Sequence, residues 1–147
     1  MIRKMLFGLT LCLAFACRKE DNEPTPSVGK LSHTVEFQVR QSRPYTDPVF
    51  DSVKAAVTLN IALENTSDGS TQVIWDTAFE QRSIRLYPAP NAPLVLRKEI
   101  RLQAPRNSIL RLSNSIRYRD RNQLTWMAAG SETVPRDMPT VRIDIDL

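Results

Sequence analysis

Histidine occurs once in this sequence and cysteine twice. That shortage excludes most imidazole and thiol chemistry before any fold is considered. Structural zinc wants four nitrogen or sulfur ligands, and His33, Cys12 and Cys17 do not make four. A Ser-His-Asp triad would have only His33 to use, and no nucleophile-elbow motif is present. His33 stands near the start of a strand-like segment, where a solvated imidazole is expected. No metal, no cofactor and no catalytic residue is assigned, and the chain is not expected to be an enzyme. Long apolar runs are missing too. The run from Met5 to Ala16 falls short of the roughly 20 residues that span a bilayer. There is no amphipathic helix, no internal repeat and no nucleic-acid-binding motif.

The short apolar run has a different meaning. Arg3 and Lys4 precede it, and Ala14 and Ala16 close it. A positive start, about 7–15 apolar residues and a small-x-small end make a secretory signal peptide. Residues 1–16 are therefore set apart from the fold. Cys17 follows at once, then the polar run Arg18-Lys19-Glu20-Asp21-Asn22-Glu23. Ala14-Phe15-Ala16-Cys17 resembles the lipobox of Gram-negative bacterial lipoproteins, with Ala14 where Leu is usual and Phe15 where a small residue is common. The resemblance implies a cut before Cys17, several acyl chains on its sulfur and an outer-membrane location. Arg18 is not the Asp that often retains such proteins in an inner membrane. Lys19-Glu20-Asp21 resembles the charged export tag of surface-displayed members. Facing the periplasm and facing the cell surface both stay open.

The cysteine count points the same way. Cys12 leaves with the signal, so Cys17 is the one cysteine of the mature chain. A lone thiol in an oxidising compartment needs an explanation. Lipidation supplies one, and intermolecular pairing is the rival. A single acyl chain anchors only marginally, at about 0.8 kcal/mol per buried CH2, whereas several hold durably.

About 130 mature residues suit one domain. Losing Arg3 and Lys4 takes the formal charge from +4 to +2. The distribution says more than the total. Between Arg82 and Arg121 stand nine arginines and Lys98, opposed only by Glu99 and Asp120. Arginine's planar fork suits carboxylate and phosphate better than lysine does.

From Arg18 to Lys30 the chain is a polar linker with Pro24, Pro26 and Gly29. As a flexible coil it spans roughly 20 Å. From residue 31 to residue 147 the apolar period is two. Val35, Phe37 and Val39 alternate with polar neighbours. Val53, Ala55, Val57, Leu59, Ile61 and Leu63 do the same. Asn65 to Ser70 is a turn by composition. Further strands are expected at Thr71 to Thr77, around Ile84 and Leu86, at Leu94 to Leu102, at Leu110 to Tyr118, at Leu124 to Trp126, and at Val141 to Leu147. Roughly seven or eight strands without a helix predict an all-β, antiparallel β-sandwich, immunoglobulin-like or transthyretin-like. A small β-barrel is the alternative.

Arg97 and Arg101 lie opposite the apolar face of their strand, and Arg111, Arg117 and Arg119 opposite that of the next. If those two strands pair, the five arginines form one outward face for an anionic glycan or an acidic protein. The competing expectation is a solvated sheet face guarded by charge. Trp75 and Trp126 are expected in the core, although exposed aromatics among Tyr45, Phe50, Phe79 and Tyr87 could stack on sugar rings. Asp76 and Glu80 could meet Glu64 or Asp68, but a glycosidase needs two carboxyls about 5–10 Å apart in a cleft. Asn65, Ser67 and Asp68 read as a plain turn before a calcium loop. The expected role is a membrane-tethered binding or accessory lipoprotein with a protein or glycan partner and no nucleic acid. A structural component of an envelope complex is the alternative, and a small hydrolase comes third.

Overall fold

The computed structural model describes residues 27–123 and 125–147. The signal segment, Cys17 and the linker up to residue 26 lie outside the described residues, as does Leu124. Seven strands form the domain: β1 (Val28–Arg40), β2 (Lys54–Asn65), β3 (Thr71–Ser83), β4 (Leu94–Pro105), β5 (Ser108–Arg119), β6 (Thr125–Val134) and β7 (Thr140–Asp146). One sheet has the order β4-β1-β7 and the other β3-β2-β5-β6. The expected β-sandwich is the fold. No helix among the described residues is long and apolar enough to cross a membrane.

Several details differ from expectation. β1 starts at Val28, not Leu31. Ile84–Leu86 is a single 3-10 turn and not a strand. β1 and β7 run parallel, while the other pairs are antiparallel. An immunoglobulin constant domain sets its first, second, fifth and fourth strands in one sheet. Here the first strand sits between the fourth and the seventh, so that order is not the one adopted. Two sheets with free edges are not a closed barrel either.

The core follows from the period of two. Leu31, Val35, Phe37 and Val39 of β1 are buried against Val57, Leu59 and Ile61 of β2 and Leu110, Leu112 and Ile116 of β5. Alternation puts every second side chain on the inner face, so these residues leave water together. Phe37 stacks on Trp75 with ring centroids 5.9 Å apart. Lys98, the one polar break in β4, lays its ammonium 5.9 Å from the Trp75 ring centre and closes that side of the core. His33 is also inside, only 3 % exposed, contrary to the solvated residue expected. Its Nδ1 donates to the Met138 carbonyl at 2.7 Å, which ties β1 to the crossover into β7.

The two ends of the sandwich differ. At one end lie the start of β1, the β2–β3 and β4–β5 turns and the β6–β7 loop. This is where the linker joins. Arg136 holds it together, donating to the carbonyls of Pro105 and Ser108, each at 2.8 Å. At the far end lie the long 41–53 loop, the 84–93 connection and the β5–β6 turn. β1 separates the ends by about 40 Å at 3.3 Å per residue.

Candidate functional site

The arginine stretch does not form one face. Arg97 and Arg101 lie on β4, which pairs with β1, whereas Arg111, Arg117 and Arg119 lie on β5, which pairs with β2 and β6. The expected β4–β5 pairing does not occur, because the 106–107 turn carries the chain from one sheet to the other. Arg106 donates its N–H to Ser27 at 2.8 Å, beside β1, and Asn107 accepts from Thr66, at the end of β2. The outward faces of the two strands therefore look in opposite directions.

Three of the five arginines are already paired. Arg97 approaches Glu36 at 3.8 Å, Arg101 bonds Glu99 at 2.8 Å, and Arg111 bonds Glu64. The Arg111 hydrogen bond holds the Glu64 carboxyl below its ordinary value. Arg117 and Arg119 have no ion pair among the described residues and are exposed. Lys54 of β2 stands directly opposite Arg119. Like charges directly opposite in a sheet are destabilising, so this trio is an arrangement that folding alone does not favour.

The register builds a surface beside the trio. Successive rows across β2, β5 and β6 read Lys54–Arg119–Thr125, Ala56–Arg117–Met127, Thr58–Ser115–Ala129 and Asn60–Ser113–Ser131. Small side chains leave a shallow trough of about 400 Å³ lined by Thr58, Asn60, Ser113, Ser115 and Ser131. Its hydroxyls and amide both donate and accept. Arg111 closes the other end and reaches Ser131 at 3.4 Å. Asp76 lies across from Asn60 on β3, the far edge strand.

A second concavity lies at the far end. Tyr45, Phe50, Tyr118, Trp126, Ile84 and Ala128 line a cavity of about 400 Å³ with Arg43 at its rim. The Tyr118 and Trp126 rings stack at 5.2 Å with 11° between planes, and Tyr45 meets Phe50 edge-on at 4.8 Å. Trp126 is 47 % exposed, so the expectation of a core tryptophan is wrong for it and right for Trp75. The reason is coverage: three strands lie over four, and β6 overhangs. Burial raises the Tyr118 phenol above its ordinary value. Arg43 sits 5.4 Å from the centre of the Phe50 ring.

The other candidates stay dispersed. Glu64 is bound to Arg111, Asp68 accepts from the Ser70 N–H at 2.8 Å, and Asp76 and Glu80 lie along β3. Among the described residues no three His, Cys, Asp or Glu side chains gather as a metal would need. Asn65 to Ser70 is a turn closed by its own side chains, with Gly69 at φ 70°. Arg43 is not legible as a site residue in the sequence, since it lies outside the periodic segments. Comparison with family models, with curated proteins and with solved structures found no match.

Proposed function

We propose that this chain is a non-catalytic binding lipoprotein, anchored by lipid on Cys17 to the outer membrane. It recognises an anionic glycan with the outer face of the β3-β2-β5-β6 sheet. The observation that carries this reading is the trio of Lys54, Arg117 and Arg119, without an ion pair among the described residues, beside a hydroxyl-lined trough. Arginine forks suit the carboxylates or sulfates of an acidic polysaccharide. Ser, Thr and Asn side chains suit its hydroxyls.

The test is binding of the full chain to polygalacturonate and to a neutral glucan. Arg117→Glu with Arg119→Glu is expected to lower affinity for the acidic polymer by at least about tenfold, a loss of about 1.4 kcal/mol. Rising salt is expected to weaken the native interaction. Equal binding by native and charge-reversed chains would reject the reading. A second reading, a component that docks on an envelope protein, is favoured by one observation, the bare edge of β6.

A further inference from the structure

Four strands end the two sheets, and three of them are protected. Edge strands expose unpaired N–H and C=O groups and are normally blunted by charge, proline, bulges or shortness. β4 carries Arg97, Lys98, Glu99 and Arg101 and ends in Pro105. β3 carries Asp76, Glu80 and Arg82, and its pairing with β2 is broken by two register shifts. β7 is seven residues long with Arg142, Asp144 and Asp146. β6 has no proline, no bulge and a single charge. It is ten residues of Thr-Trp-Met-Ala-Ala-Gly-Ser-Glu-Thr-Val with Glu132 as its one charge. Its ladder with β5 is unbroken from Trp126 to Thr133, and all its residues but Val134 are exposed.

The same strand contributes to the far-end cavity. Trp126 and Ala128 both line it, and both share the inward side of β6. A bare edge next to a pocket on alternate residues is the arrangement by which sheets accept an extended peptide. Main-chain bonds supply affinity, and the pocket supplies specificity. We propose that β6 receives an extended segment of a partner protein as an added strand. That segment places an aromatic side chain in the cavity of Tyr45, Phe50, Tyr118 and Trp126, and a carboxylate beside Arg43.

Charge and chain length select this occupant. Arg43 has ring contacts but no carboxylate partner among the described residues. Residues 18–26 have no aromatic or branched aliphatic side chain to fill the cavity. They also join the domain at the opposite end, about 40 Å away. A second copy pairing antiparallel on β6 is the competing occupant, and a concentration-dependent dimer through β6 would reveal it.

The experiment uses the full chain, isotope-labelled and solubilised in detergent, and the peptide acetyl-Thr-Glu-Val-Phe-Thr-Val-Thr-amide. Its Glu and Phe fall on one face. Binding is expected to shift the backbone amides of Thr125–Val134. Replacing the peptide's Phe by Ala is expected to weaken it at least about tenfold, as is Trp126→Ala in the protein. Methylating alternate peptide amides gives a sharper sign. One alternate set faces β6 and abolishes binding, while the other faces away and spares it. Any of these results would overturn the proposal: no binding up to about 1 mM, equal tolerance of both methylated sets, or a concentration-dependent dimer through β6. Polygalacturonate is expected not to displace the peptide. Displacement would also overturn the proposal, without touching glycan binding at the arginine trough.

Discussion

Three backbone carbonyls, those of Ile84, Arg85 and Tyr87, converge on the amide nitrogen of Gln41 at 3.3, 3.1 and 2.7 Å. Gln41 is buried, and its own N–H donates to Pro88. One side chain thus folds the 84–93 connection back onto the end of β1. Buried acceptors left without a donor carry a desolvation penalty. Gln41→Leu is expected to lower unfolding free energy by about 1–3 kcal/mol in denaturant titration. An unchanged midpoint would show that the carbonyls find other donors. Glu64 makes a residue-scale prediction with a sign. Its carboxyl is held below its ordinary value by the hydrogen bond from Arg111. The pair therefore stabilises the fold above the ordinary carboxylate range, and the gain is lost as pH falls through the lowered value. Arg111→Gln is expected to remove that acid-side slope from a stability–pH profile while leaving the rest.

At the scale of elements, β1 is the spine, flanked by β4 and β7 and packed across the core. Phe37 at its centre is fully buried and stacked on Trp75. Phe37→Ala is expected to destabilise by about 3–5 kcal/mol, through lost burial and the cavity left behind. Strands with one covered face were legible in the sequence, because burial of every second residue writes a period of two. β2 and β5 stand almost where alternation put them. β6 was read as a fragment around Trp126, because its two open faces impose no alternation on Ala128, Ala129 and Gly130. The distal half of β3 is hidden from periodicity for a similar reason, with Ala78, Glu80 and Gln81 all exposed. The arginine face failed at a different step. Alternation correctly put all five side chains outward. Which strand pairs with which depends on sheet switching at the 106–107 turn, and periodicity does not encode that.

For the whole molecule, the polarity of the sandwich is what matters. The linker enters at the end pinned by Arg136, and the aromatic cavity and the Lys54–Arg119 pair lie towards the other. A lipid on Cys17 would then tether the domain by the end away from these surfaces. Cys17→Ala is expected to move the protein from the membrane fraction to the soluble one. Tethered binding of acidic glycan is tested by polygalacturonate retained by membrane and soluble fractions from cells making the native, Cys17→Ala or Arg117→Glu/Arg119→Glu chain. Retention on membranes is expected for the native chain, transfer of that retention to the soluble fraction for Cys17→Ala, and its loss from both for the charge-reversed chain. Retention by charge-reversed membranes at the native level would contradict it.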